Sequence, residues 1–301
     1  MRRAPNAPPA ASRPLPADDW QARQARHHVR ADALLAPHRA RQQRGEAHPV
    51  WDFLFTYYSL RPAQLRRWHP GIAVALDNAP GHAGWRGYES DERGLTQVSP
   101  AFVEHRASTV RFVLALIEHT TARPARLSCF GLHEWAMVYR ASPDDVRHAR
   151  LPLRLGHAGT DAVVESMPLR CTHVDAFRFF TEDARPLNDQ VLSRADQLRT
   201  EQPGCVHASM DLYKWCYKLL PITSSDLLLD CFELALAARE IDMRASPYDL
   251  SGHGLPPIEV ETPRGRAEYV RLQQWLAERA APVRERIAVA CQTALATLEP
   301  S

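Results

Sequence analysis

Histidine and carboxylate side chains fall together at four places in this chain: His133 with Glu134, His173 with Asp175, His207 with Asp211, and the run Asp230, Glu233, Glu240 and Asp242. His207 and Asp211 are four residues apart and share a face if their segment is helical. His173 and Asp175 are two apart and share a face if theirs is a strand. Neutral imidazole with carboxylate, oriented by further acids, is the donor chemistry of a transition-metal site. On that reading His133, His173 and His207 are the ligands, and the substrate is a small molecule. None of these sets matches a named zinc pattern, and His133-Glu134 lacks the second histidine of HExxH. The acidic run, extended back to Asp226, reads more simply as a solvated helix face.

Both lysines of a chain with 35 arginines stand in GCVHASMDLYKWCYKLLP, residues 204–221. Arginine keeps its proton, whereas a desolvated lysine can lose it and act as base or amine nucleophile. Met210, Tyr213, Cys216 (or Tyr217) and Leu220 recur here at helical spacing, which puts Asp211 and Trp215 on one face with Lys214 and Lys218 beside them. An aspartate near lysine, with Trp215 and Tyr217 close by, suits a charge-bearing, base-stacking pocket. The same residues also make an ordinary amphipathic helix with an internal ion pair. Asp211 and the aromatic π faces favour the protonated amine, so charged lysines are expected rather than nucleophiles. In REIDMRASPYDL, residues 239–250, a helix ends in alternating acids and arginines, which makes Asp242 and Arg244 further candidates.

The elements that must position these residues read as a mainly α fold: a single helical domain over 19–301 with a small β element. Residues 1–18, rich in Pro and Ala, read as a disordered tail. A polar, arginine-rich helix is expected from Asp19 to about Arg44, then two short helices within 48–71. Ser99 and Pro100 start a helix whose apolar residues repeat up to Pro124. Residues 129–140 read as helical after Gly131. Two clear helices follow, Ser225 to Met243 and Arg264 to about Leu298, the second with a candidate break at Pro282. Strands are expected at 72–78, 149–156 and 167–180, with a glycine-rich loop over 80–94.

Composition supports a packed core: 45% of residues are hydrophobic and 24% charged. The net charge of +2 is unevenly spread. Residues 1–50 hold nine arginines against four carboxylates, whereas 51–301 hold 28 basic and 31 acidic side chains. A basic surface for non-specific nucleic-acid binding is therefore not evident in the body, although a local patch can hide in an average. Six scattered cysteines without CxxC pairs point to reduced thiols. The start is too polar for a secretory signal and no apolar run is long enough for a membrane span. A cytoplasmic protein with no membrane partner is the expectation.

The segments HPVWDFLFTYYSLRPAQLRRWHPG, CFGLHEWAMVYR, GTDAVVE, RCTHVDAFRFF, QPGCVHASMDLYKWCYKL and FELALAAREIDMRASPYDL resemble a mostly actinobacterial group of proteins commonly named 3-methyladenine DNA glycosylase. The resemblance covers about residues 25 to 280. It brings no assigned catalytic residues, and the chain lacks the helix-hairpin-helix LPGVG-type loop of one glycosylase superfamily. What it implies is base excision from DNA carrying a damaged base, without a cofactor. That chemistry needs aromatic faces for a flipped base and a carboxylate for the charge developing on the sugar. Asp211, Asp242 and Glu134 are the candidate carboxylates. Trp135, Tyr213, Trp215, Lys214, Lys218 and Arg244 are the candidate substrate contacts. A metal-dependent enzyme remains the alternative, and a non-catalytic binding protein needs no convergent titratable groups at all.

Overall fold

A computed structural model describes residues 14–142 and 151–299. Among these, the chain forms α1 (Ala17–Gln43), α2 (Phe53–Thr56), α3 (Pro62–Leu65), α4 (Pro80–Ala83), β1 (Tyr88–Ser90), β2 (Thr96–Val98), α5 (Pro100–Thr121) and α6 (Leu132–Ala136). It continues with α7 (Gly156–Ser166), α8 (Val174–Phe177), α9 (Gln197–Thr200), α10 (Val206–Lys218), α11 (Ser225–Arg244) and α12 (Pro263–Ala296). The fold is mainly α, in one domain, and among the described residues it has one antiparallel pair of strands.

The long helices follow from their apolar stripes. On α5, Val103, Ala107, Val110, Val113 and Ile117 are buried at helical spacing, and Pro100 opens the first turn where no N–H is missed. Ser224 caps α11 by accepting from Leu227 N at 3.3 Å, and Thr262 caps α12 by accepting from Gly265 N at 3.0 Å. Pro282 does not break α12. It lies on the exposed face, where water can take the carbonyl it leaves unbonded. α12 packs on α5 and α11, and α10 packs between α11 and α12. All but three of the thirteen residues of α10 are buried, so it is the central helix of the core.

The β element is not where alternation suggests. Within 72–78 only Leu76 bridges, to Leu15 and Thr96. The described part of 149–156 makes one bridge, Leu153 with Tyr248. Over 167–180, Leu169 bridges Asn188 and the chain then turns into α8. There His173 accepts from Ala176 N at 3.2 Å, and Val174, Ala176 and Phe177 are buried together, so a cap and a helical turn replace the strand. The real sheet lies in the expected loop: Tyr88 faces Val98 and Ser90 faces Thr96. Its turn is closed by Asp91 Oδ1, which accepts from Arg93 N and Leu95 N at 2.9 Å each.

The tail expected over 1–18 also needs a nearer end. Leu15 N donates to Ala75 O and Leu15 O accepts from Asp77 N, and α1 already starts at Ala17. Residues 1–13 lie outside the described residues. All six cysteines are free. No helix among the described residues is long and apolar enough to cross a membrane.

Candidate functional site

α10 carries His207, Asp211 and Lys214 into the core, and buried polar groups must be paired there. Asp211 accepts from Tyr58 Oη at 2.8 Å on one oxygen and from His173 Nε2 at 3.2 Å on the other. Lys214 Nζ also donates to Asp211 and reaches Asp175 Oδ2 at 3.0 Å. His173 caps α8 through Nδ1, which leaves the proton on Nε2 and aims it at Asp211. Glu201 Oε1 lies 3.7 Å from His173 Nε2 and accepts from Gln197 Nε2 at 2.7 Å. Burial pushes the Asp211 carboxyl up, but Lys214 and His173 outweigh it and hold the group well below the carboxylate range. Burial alone would lower Lys214, yet Asp211 and Asp175 raise it above an ordinary lysine. Lys214 is a fixed cation.

A second network meets it through His207. Asp242 of α11 receives His133 Nε2 at 2.6 Å and Arg239 Nη1 at 3.2 Å, and the same Arg239 nitrogen donates to Glu134 at 3.1 Å. The His207 ring lies 4.5 Å from that of His133, edge on, and stacks at 5.2 Å on His173. Its Nε2 is 3.9 Å from Asp242 Oδ2, and its Nδ1 has no hydrogen-bond partner among the described residues. Burial drives His207 down to about 3, against the pull of Asp242, so the imidazole is neutral at ordinary pH. Burial also opposes charge on His133, but Asp242 more than reverses this and raises it. Burial pushes Asp242 up, while His133, His207 and Arg239 bring it down well below an ordinary aspartate.

Local backbone explains the placement. Gly131 turns into α6 at φ 71°, and a Cβ there would meet Ala245 Cβ at 3.1 Å, just past the end of α11. Only glycine lets His133 and Glu134 approach Asp242 so closely. At the start of α10, a Cβ on Gly204 would lie 2.8 Å from Arg126 O, so the helix begins pressed on the 126–129 loop.

The two networks floor a narrow cleft lined by Phe53, Tyr57, Phe179, Glu134, Asp175, His207 and Arg239. The Arg239 guanidinium covers the Phe53 ring at 3.8 Å. Space open to a water-sized body is about 10 Å³, room for about one water. In and below the cleft, Glu134, Asp175, Asp211 and Asp242 stand against Arg239, Lys214 and Arg194, which lies 3.4 Å from Asp175, with His133 bonded to Asp242.

Of the sequence candidates, His133, Glu134, His173, His207, Asp211, Lys214 and Asp242 converge. Others sit elsewhere. Trp135 is fully buried and its Nε1 donates to Ala245 O at 2.8 Å, a structural bond. Tyr213 packs in the core against Tyr58 and Phe232. Trp215 packs on Phe112, with Lys214 and the exposed Lys218 over its ring at 4.6 and 5.5 Å. Arg244 faces away, donating to Pro256 O at 2.9 Å and lying near Glu240 and Glu268. The acidic run pairs at the surface: Asp230 and Glu233 with Arg30, and Asp230 also with Arg286. Tyr58, Glu201, Arg239 and the cleft rings were not among the candidates. Arg239 is the one with a signal, one turn before Asp242 in the charged helix end.

His133, Glu134, His207 and Asp242 each offer an atom within 4.8 Å of the others, a donor set that a transition metal accepts. Arg239 stands among them, however, already bonded to both carboxylates. The 2.6 Å between His133 and Asp242 is a hydrogen bond, shorter than the ~3.3 Å between two ligands of one tetrahedral zinc. A metal would have to displace the guanidinium and part this pair. Compared with known proteins, no family model, no curated protein and no solved structure matches the chain.

Proposed function

We propose that the cleft is the active site of a hydrolase that releases an alkylated, positively charged base from DNA, with water as the nucleophile. One observation carries this reading: aromatic rings and two carboxylates, Glu134 and Asp175, face the same narrow cleft, over a neutral histidine with an unpartnered nitrogen. Phe53, Tyr57 and Phe179 offer π faces to a cationic purine, and the carboxylates of Glu134 and Asp175 beside them favour its charge. The resemblance to proteins named 3-methyladenine DNA glycosylase points the same way. Glu134 supports positive charge developing on the sugar, held in place by Arg239. His207 accepts a hydrogen bond from the attacking water at Nδ1. A base is admitted only when the rings part, because the closed cleft holds no more than a water.

Lys214 takes no part as a nucleophile, being held as a cation between Asp211 and Asp175. The test is release of free base from methylated duplex DNA, followed by chromatography. Release is expected from the native protein, with a drop of about a hundredfold or more in Glu134→Gln and His207→Ala, and without a borohydride-trapped adduct. No release from methylated duplex or single-stranded DNA would overturn the reading.

A second reading, a metal-dependent enzyme on a small molecule, is favoured by the four convergent donors and the unpartnered His207 nitrogen. Elemental analysis of protein purified without chelator decides it: a stoichiometric transition metal, lost in His133→Ala, supports it, and metal-free active protein rules it out.

A further inference from the structure

A different cavity, about 320 Å³ in volume, lies between the end of α5, the 126–129 loop, residues 170–172 and α9. Arg123, Arg126, Arg170 and Arg199 line it, against Asp189 as the one carboxylate. This is the reverse of the acidic balance of the body, and two of the arginines are held in place, Arg199 by Asp196 at 2.7 Å and Arg123 by backbone carbonyls. The Arg123 guanidinium donates to the carbonyls of His119 at 3.0 Å, Glu201 at 2.9 Å and Leu198 at 2.7 Å, in the last turns of α5 and α9. It has no carboxylate partner among the described residues. Arg126 has no ion pair among them either, and its backbone is clamped by Gln202. Arg126 N donates to Gln202 Oε1 at 2.8 Å, and Gln202 Nε2 donates to Arg126 O at 3.2 Å. Arg170 approaches Asp189 only to 3.7 Å. The side chains of Ser128 and Thr172 add hydroxyl donors to the lining.

A solvated arginine face needs neither a concave shape nor clamped backbone. From these features we infer that the cavity binds a phosphate group, carried by a nucleotide or by a nucleic-acid strand. Guanidinium forks match phosphate oxygens, hydroxyls supply further donors, and the volume suits a nucleotide-sized ligand. Arg170 and Thr172 line this cavity and Asp175 lines the cleft, with His173 buried between them. The five steps from Arg170 to Asp175 span at most about 18 Å, so a strand held here passes within a few nucleotides of the cleft. The phosphate site does not depend on the base-excision reading.

Calorimetric titration of the full chain with inorganic phosphate, a 5′-nucleoside monophosphate and a single-stranded octanucleotide tests it. Saturable binding of at least one phosphate ester is expected, weakened about tenfold or more in Arg126→Gln/Arg170→Gln and unchanged in Arg279→Gln, which lies on α12 over Trp275. Competition by the monophosphate assigns the site to a small ligand. Binding of the octanucleotide alone, weakening with salt, assigns it to a strand. Either outcome upholds the phosphate site. Absence of saturable binding by all three probes, or equal affinity in the double variant, would overturn it.

Discussion

Asp211 receives a phenol, an imidazole and an ammonium at once, and those three groups come from three separate parts of the chain. It is therefore a positioning residue, out of reach of a substrate in the cleft. Asp211→Asn keeps the shape but leaves Lys214 buried with only Asp175. The expected cost is about 3–5 kcal/mol of stability, read from urea unfolding, whereas a purely chemical role would leave the midpoint unmoved. Lys218 is exposed and shares only the Trp215 ring, so Lys218→Arg should stay within about 0.5 kcal/mol of the native protein. The two lysines look alike in sequence, and only burial separates their roles.

At the scale of elements, Asp52 ties the end of α1 to α2. It accepts from His38 Nδ1 at 2.7 Å, from His48 N at 2.8 Å and from Arg41. Burial raises its pKa, but these donors outweigh burial and bring it down to about 2. A depressed carboxylate contributes stability above its unfolded pKa and loses it as pH falls through the folded one. About 2 kcal/mol should therefore be lost between pH 4 and pH 2, and Asp52→Asn should flatten that part of the urea-midpoint profile. The long helices α5, α11 and α12 were legible in the sequence because their buried stripes repeat at helical spacing over many residues. The strand assignments failed because α8 and the β1–β2 pair are set by a histidine cap and by an aspartate turn, which alternation does not register, whereas the short helices within 48–71 and after Gly131 are where the sequence placed them. The site was half legible. His133, His207 and Asp242 announce themselves by residue type, whereas Arg239 and Tyr58 become site residues only through tertiary burial.

Across the whole molecule, the chain before α1 is stitched to the body through Leu15, which exchanges backbone bonds with the 75–77 segment. A truncation beginning at Pro14 should keep the native melting temperature. One beginning at Asp19 removes both bonds and the first two residues of α1, and should lose about 1–3 kcal/mol. Equal melting of the two would show that the Leu15 contact contributes nothing. Charge is also distributed at this scale: a cleft of paired acids and bases and an arginine-lined cavity sit at opposite ends of one short segment, hidden within a nearly neutral total.

The cleft rests on α10, a helix buried over most of its length in the core. Whatever grips His207 from outside must therefore release before α10 can leave the core, so occupancy is linked to global unfolding rather than to the fraying of a loop. By that linkage a ligand at a hundred times its Kd adds about 2.7 kcal/mol to the unfolding free energy. Thermal denaturation in the presence of candidate compounds thus becomes a way to find the substrate without an assay for the reaction, and the protein reports its own ligand by melting later.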